Sequence, residues 1–472
     1  METNQMKELN KITYGAKIIA NCVGLNHEGE GICKITGIKD GQEIENYVLF
    51  VNNMLPGEKG QIEIGKIHKS YGYANLLKVF SDKKSPNRVV PFCKHYESCG
   101  GCNIMHLDYK AQLEFKKDMI VETLKKIGGF SNPIVNTVLG MQNPNYYRNK
   151  VQVPFRELNF KVNCGFFAKE SHHIIPIDEC LIQPQLTTDI IKFIRNICNE
   201  FKIEGYNETN HSGLIRHVLI RTNHTLDEIM IVLVLTKAIL NDKEKLIHKI
   251  INRYKNVKSI IINVNDKLGN TILGDKCITI YGNDYITDEL CGLKFRIDAK
   301  SFYQINHTQT EVLYNKIIEI GKFNTEDVII DAYCGIGTIG LIASKYAKEV
   351  LAVEIVEEAI YNAKINAKNN NITNVTFECN KAEEQIIKWA NENKKIDAII
   401  VDPPRKGCDQ KLLNTIDLMK IPKIIYISCN PSTLARDLKI LVEKDYDIIQ
   451  IQPIDMFPYT SNVECVVCLK RR

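Results

Sequence analysis

The sequence predicts an α/β protein that ends in a doubly wound parallel sheet, begins with a small β-barrel and carries an α+β domain between them. Three observations support this. Residues 1–82 alternate short apolar runs with Gly, Asn, Asp and Pro turns. Residues 135–300 mix strand-like and helix-like runs. From about residue 310, strand and helix patterns alternate regularly.

The barrel strands are expected at Ala16 to Cys22, Gly31 to Ile35, Tyr47 to Val51, Gly60 to Ile67 and Ala74 to Val79, and Lys83-Lys84-Ser85-Pro86-Asn87 reads as a linker. A helix follows within 106–128, where Leu107, Leu113, Met119, Ile120, Leu124 and Ile127 recur at near-helical spacing until Gly128-Gly129 stops the run. The middle domain, 83–300, reads as antiparallel α+β. Its strands are Val151 to Phe155, Gly213 to Arg221, Glu228 to Leu235 and Ser259 to Val264, and its helix is Asp242 to Tyr254. In 301–472 strands end at Asp331, Glu354, Cys379, Asp402, Ser428 and Ile451, with helices such as Val356 to Asn369 and Thr433 to Glu443 between them. Ligands of such sheets bind at the carboxyl ends of the strands, so the chemistry is expected where these strands stop.

Composition narrows the function classes. The chain has 472 residues, 44% hydrophobic and 25% charged, the profile of an ordinary globular protein. No stretch approaches the roughly 20 apolar residues that span a bilayer. Met1 to Lys11 is polar and mixed in charge, unlike a signal peptide, so the expected location is cytoplasmic with no membrane partner. Net charge is only +5, but Lys59 to Lys94 holds eight Lys/Arg against Glu63 and Asp82, a local field that suits phosphates or a solvated face. The 16 cysteines are expected as thiols, metal ligands or catalytic groups rather than disulfides, with Cys198, Cys277 and Cys379 read as small buried residues.

The run Val328-Ile329-Ile330 leads into Asp331-Ala332-Tyr333-Cys334-Gly335-Ile336-Gly337 and then a helix. Glycines at such a turn let backbone approach a ligand closely, and Glu354 closes the next strand, where an acid can hold both ribose hydroxyls. The arrangement points to a nucleoside-containing cofactor, either a dinucleotide or S-adenosylmethionine, and Gly340, read as one place late for the dinucleotide fingerprint, tilts the expectation toward S-adenosylmethionine. The fourth strand runs into Asp402-Pro403-Pro404-Arg405-Lys406-Gly407, and the fifth into Ser428-Cys429-Asn430-Pro431. Two prolines stiffen the first turn. Cys429 stands where strand gives way to helix, a position expected to lower its thiol pKa and favour the nucleophilic thiolate.

Asp402-Pro403-Pro404-Arg405-x-Gly407, a gap of sixteen, and Ile424-Ile425-Tyr426-x-Ser428-Cys429-Asn430-x-x-Thr433 resemble the RNA uracil-5-methyltransferase family, in its 23S ribosomal RNA type. Met456-Phe457-Pro458-Tyr459-Thr460-Ser461-Asn462-Val463-Glu464 is similar to the family's second motif, with Asn462 where the family usually has His. The resemblance covers nearly the whole chain, the first strands being similar to the OB-like, RNA-binding TRAM domain. It implies S-adenosylmethionine as donor, Cys429 as nucleophile at uracil C6 and Glu464 as the base that removes the C5 proton. Gln304, Tyr333 and Glu354 are implied cofactor contacts beside Gly335 and Gly337, and Asp402 lines the pocket. The implied partner is 23S ribosomal RNA with a flipped-out uridine, bound by a monomer. Tyr147-Arg148-Asn149-Lys150 also resembles a family motif and reads equally as an RNA contact or a surface turn.

Cys93-x5-Cys99-x2-Cys102, with Gly100-Gly101 inside it, is a tight thiol group. Spacing leaves zinc and iron–sulfur both open, and Cys164 competes as fourth ligand by composition. The resemblance implies Cys180 as the fourth ligand and a [4Fe-4S] cluster rather than zinc, with a structural or RNA-positioning role. Alternatives are a transfer RNA uridine methyltransferase, an amino-group methyltransferase using Asp-Pro-Pro, a non-catalytic RNA-binding protein and a radical enzyme.

Overall fold

The computed structural model describes residues 10–472, so most of the polar stretch Met1 to Lys11 lies outside the described residues. The chain folds as two compact units. One comprises the chain up to Glu97 with Gly101–Met119 and Phe457–Asn462; the other comprises Ser98–Gly100, Ile120–Met456 and Val463–Arg472.

The first unit is built on β1 (Asn10–Lys11), β2 (Lys17–Leu25), β3 (Gly31–Lys39), β4 (Gln42–Asn52), β5 (Lys59–Ile67) and β6 (Tyr71–Val79). The sheet order is β1-β3-β2-β5-β6-β4, and a β3–β4 pairing closes β2 to β6 into a five-stranded barrel. Strict alternation makes this possible: Ile18, Ala20 and Cys22 point inward with Leu49, Val51, Ile62 and Ile64, while the residues between them face out. Asp40 and Gly41 (φ 52° and 81°) supply the left-handed pair that a tight β3–β4 hairpin needs. Each strand begins or ends a few residues beyond its sequence-predicted bounds. One of the eight cations in the basic stretch is structural: Arg88 donates through Nε and Nη2 to the fully buried Glu58, at 2.5 and 2.7 Å.

The helix within 106–128 is α1 (Tyr109–Thr123), continued by one wide turn, Leu124–Gly128. Within the first unit it fastens the loop 457–462. Tyr459 N donates to Gln112 Oε1 at 3.1 Å, Lys116 Nζ to the Phe457 carbonyl at 3.1 Å, and Ser461 N to Asn103 Oδ1 at 2.9 Å.

The second unit opens with β7 (Lys150–Leu158), β8 (Lys161–Phe167), β9 (Ile174–Pro176), α2 (Gln185–Glu200), β10 (Ile215–Thr222), β11 (Ile229–Leu235), α3 (Lys243–Arg253), β12 (Val257–Val264) and β13 (Lys276–Gly282). The sheet order is β13-β12-β11-β10-β7-β8-β9. It is antiparallel as expected except at β11–β12, which run parallel because α3 crosses between them. β10 and β11 are buried along their whole length; β11 reads as a continuous apolar run, whereas β10 carries Arg216, His217 and Arg221 inside. The hairpin β14 (Tyr285–Leu290) and β15 (Leu293–Asp298) follows, then α4 (His307–Gly321), whose cap Asn306 accepts from Gln309 N at 3.2 Å.

The remaining elements alternate: β16 (Val328–Ala332), α5 (Thr338–Ala343), β17 (Glu349–Glu354), α6 (Glu357–Asn369), β18 (Val375–Cys379), α7 (Ala382–Asn391), β19 (Ala398–Val401), α8 (Gln410–Leu418), β20 (Lys423–Ser428), α9 (Pro431–Glu443), β21 (Tyr446–Ile454) and β22 (Glu464–Arg471). Their sheet order is β18-β17-β16-β19-β20-β22-β21. The strand order reverses between β16 and β19, opening a crevice at their carboxyl ends. The sheet is parallel as predicted, with one addition: β22 runs antiparallel between β20 and β21.

All sixteen cysteines are free of disulfides. Cys198 is buried as expected, but Cys277 and Cys379 are exposed. Both lie on strands at the outer edge of their sheets, where no neighbouring strand covers them.

Candidate active site

The predicted residues of the methyltransferase site all fall in the second unit, and the sheet explains how. Tyr333, Gly335 and Gly337 form the turn from β16 to α5, Glu354 is the last residue of β17, and Asp402 follows β19 directly. Cys429 follows β20 directly, and Glu464 begins β22. Because β22 is antiparallel, its first residues lie at the carboxyl ends of the other strands, and Ser428 pairs with Cys465. That register sets Glu464 beside Cys429 although thirty-five residues separate them in the chain. Gln304 lies in the segment before α4, nearly buried, its carbonyl accepting from Asn149 Nδ2 at 2.9 Å.

The glycine turn is tightly drawn. Tyr333, Gly335 and Gly337 all have positive φ (68°, 56° and 84°), which costs Tyr333 the most. Gly335 N donates to Glu354 Oε2 at 3.2 Å, while Ile355 N and Val356 N donate to Oε1 at 2.8 and 3.0 Å. Glu354, the acid expected from the sequence to hold the ribose, is therefore oriented by three backbone amides. Gly340 is not one place late: Gly335-x-Gly337-x-x-Gly340 has full dinucleotide-type spacing, so glycine spacing alone does not favour S-adenosylmethionine over a dinucleotide. A Cβ on Gly340 would lie 2.6 Å from Asp331 Oδ2, so only glycine lets α5 pack against the end of β16.

Carboxyl groups converge on this edge. Asp331 is 1% exposed, and neither of its oxygens has a hydrogen-bond partner among the described residues. Burial, with Asp402 and Glu354 adding to it, pushes its pKa up to about 8, the Gly340 backbone opposing. Burial raises Asp402 to about 6. Burial and then Asp402 hold Glu464 well above the usual carboxylate range, with Arg405 opposing. A site that crowds buried acids suits a ligand carrying positive charge, as the sulfonium and ammonium of S-adenosylmethionine do.

The thiol departs from expectation. Cys429 is pushed up to about 11 by burial, then by Glu464 and Asp402, with Arg405 opposing. The helix N-terminus does not prevail because the amides of α9 are already engaged: Asn430 is the cap, its Oδ1 accepting from Ser432 N at 3.0 Å. The two motif turns are tied together, since Asn430 Nδ2 and Thr433 Oγ1 donate to the Arg405 carbonyl at 3.0 and 3.3 Å. Asn462, in the first unit, is exposed, and its Nδ2 donates back to Thr460 Oγ1 at 3.3 Å.

Of the four cluster cysteines, Cys93 and Cys102 belong to the first unit, Cys99 and Cys180 to the second, and all are half-buried. Gly100 N donates to the Phe167 carbonyl at 3.0 Å, in a place where a Cβ would sit 3.2 Å from that oxygen. A further group not read from the sequence is His224, Asp288 and His307, with ligand atoms within 4.8 Å of one another. Its two rings stack at 4.4 Å and 16°, which aims their lone pairs side by side rather than at one point. It works as a hydrogen-bond network: buried Asp288 takes His224 N at 3.0 Å and the Tyr303 hydroxyl at 3.1 Å, which steadies the segment carrying Gln304.

A glycine turn at the strand reversal, a strand-end acid after it and an antiparallel last strand define a methyltransferase fold. The family model described as tRNA (uracil-5-)-methyltransferase matches residues 108–472, and the chain belongs to that family. An uncharacterised RNA methyltransferase of Bacillus cereus is 45% identical over 447 residues, covering 95% of each chain. One of Clostridium acetobutylicum is 43% identical over 445 residues, covering 94% of each. The solved tRNA (uracil-54, C5)-methyltransferase of Pyrococcus abyssi, in complex with S-adenosyl-L-homocysteine, is similar with a TM-score of 0.74 and 27% identity, over 96% of this chain and 100% of that one. The protein is an RNA methyltransferase. No helix among the described residues is long and apolar enough to cross a membrane.

Proposed function

We propose that this protein methylates C5 of a uridine in RNA, with Cys429 as nucleophile and Glu464 as base. The observation that carries this reading is the register of β22, which sets Glu464 beside Cys429 on the ligand-binding edge. S-adenosylmethionine supplies the methyl group. Gln304, Tyr333, Gly335, Gly337, Glu354 and Asp402 line its place and that of the uracil. The Cys429 thiolate forms a bond to C6, and the C5=C6 electron pair moves to C5, making that carbon the nucleophile for the methyl group. Glu464 then takes the C5 proton; the pair left at C5 re-forms C5=C6 as the Sγ–C6 bond breaks. Burial and Glu464 raise the Cys429 thiol, so bond formation at C6, which removes the thiolate charge, favours the carboxylate form of Glu464 that takes the C5 proton.

The RNA proposed is 23S ribosomal RNA, with the target uridine flipped from its stack into a monomeric, cytoplasmic enzyme. The family description and the Pyrococcus abyssi neighbour favour a second reading, a transfer RNA substrate. Methylation of total RNA from a strain lacking the protein, followed by mapping of new 5-methyluridine, decides between them. Cys429→Ala retaining full methyl transfer would sink the covalent reading in favour of amino-group chemistry.

We also propose that Cys93, Cys99, Cys102 and Cys180 hold a [4Fe-4S] cluster, and that the chain is organised as barrel 1–82, central domain 83–300 and methyltransferase domain 301–472. The donor set fits: four half-buried thiols outside any disulfide, with Gly100 tightly placed against the Phe167 carbonyl. The cluster would have a structural or RNA-positioning role and take no part in methyl transfer. Iron and acid-labile sulfide in the purified protein support it; stoichiometric zinc instead would overturn it.

A further inference from the structure

Tyr147-Arg148-Asn149-Lys150 has no part in the reaction above, yet it is not a surface turn. Tyr147 and Asn149 are buried, and Asn149 holds the Gln304 carbonyl. Lys150 opens β7 directly opposite Arg221 on antiparallel β10. Directly opposed residues share a face of the sheet, their Cβ atoms roughly 5 Å apart. Two cations are thus held side by side, and Arg148 adds a third positive charge close enough to act on Lys150.

Neither member has an ion pair among the described residues. Arg221 is 2% exposed; its Nη2 donates to the Ser301 carbonyl at 2.6 Å, while Nε and Nη1 have no partner among the described residues. Lys150 is largely buried and has no hydrogen bond or ion pair among the described residues. Burial, then Arg221 and Arg148, pushes its amine down to about 8. Asp298 is the acid that acts on Arg221. Its oxygens are already taken by Ser301 N, Ser301 Oγ and Asn362 Nδ2. Buried guanidinium donors without acceptors are costly, and so are paired buried cations, unless an anion completes them. The pair lies at the root of the segment Ser301 to Asn306, which carries exposed Phe302 and the proposed cofactor contact Gln304.

We propose that Lys150 and Arg221 form an anion subsite that takes a phosphodiester of the RNA next to the target uridine. The proposal rests on the RNA-methylating reading above. A base that leaves its stack swings its flanking phosphates with it, and a fixed cation pair anchors them. Lys150, which keeps a solvent edge, meets the phosphate. Arg221 lies behind it as a fixed charge and holds the Ser301 carbonyl, which couples phosphate binding to the placement of Gln304.

The test uses the full-length holoprotein and labelled single-stranded oligouridylate. Kd is measured across a salt series for wild type, Lys150→Gln and Lys150→Arg, with melting temperature checking the fold of each. For Lys150→Gln the log Kd against log salt slope is expected to fall by about 0.7, the loss of one phosphate contact on a single strand, while Lys150→Arg keeps it. S-adenosylhomocysteine affinity is expected to be unchanged. An unchanged salt slope in Lys150→Gln overturns the proposal. A fall in S-adenosylhomocysteine affinity without a change in slope also overturns it, placing the cofactor carboxylate there instead. The slope is read from binding alone, so failure of the Cys429 reaction reading leaves this result independent.

Discussion

Replacing Asp331 by Asn is expected to stabilise the protein although it alters the cofactor edge. Asp331 is buried, without a hydrogen-bond partner among the described residues, and raised from 3.8 to about 8. The folded state therefore binds a proton that the unfolded state releases. A carboxyl raised in this way lowers stability as pH climbs through 3.8, and the loss levels off above about 8. Between those limits the linkage amounts to on the order of 4 kcal/mol at pH 7 and about 1 kcal/mol at pH 4.5. Asn has the same shape and cannot ionise, so the variant is expected to melt several degrees above wild type at pH 7. The gap is expected to narrow sharply by pH 4.5. Thermal unfolding of both proteins at the two pH values is the assay. A variant that melts below wild type at pH 7, or a gap that does not depend on pH, would refute the reasoning.

Other outcomes follow from the same geometry. Alkylation of Cys429 by iodoacetamide, followed by peptide mass spectrometry, is expected to rise about tenfold per pH unit from pH 7 to 9, because the thiol lies near 11. Glu464→Gln removes the carboxyl that raises that thiol, so Cys429 is expected to alkylate faster at each pH; an unchanged rate counts against the mutual repulsion. The same variant is expected to accumulate a methylated protein–RNA adduct on denaturing gels, since C5 then keeps its proton; normal turnover without adduct would show another base. Gly340→Ala brings a methyl group against Asp331 and is expected to weaken S-adenosylhomocysteine binding at least tenfold by calorimetry, with wild-type affinity as the contrary result.

Much of this protein was legible in the chain because local pattern governs it. Alternation set the barrel strands, since a one-residue slip would turn Ile18, Ala20 and Cys22 outward. The strand-to-helix rhythm after residue 310 placed Asp331, Glu354, Asp402 and Cys429 at strand ends, and strand ends of such a sheet share one edge. Other features depended on tertiary structure. No local signal reverses β22, yet that reversal sets Glu464 beside Cys429. The thiol was expected to be acidic from its helix, but burial and two carboxyls distant in sequence outweigh the helix end. The pairing of Lys150 with Arg221 is likewise a matter of register between strands some seventy residues apart. Periodicity and turn chemistry are written residue by residue, so sequence alone determined which elements form and where they stop. Charge, burial and partnership depend on what the fold brings from elsewhere, so only the tertiary structure decided which carboxyls and cations meet.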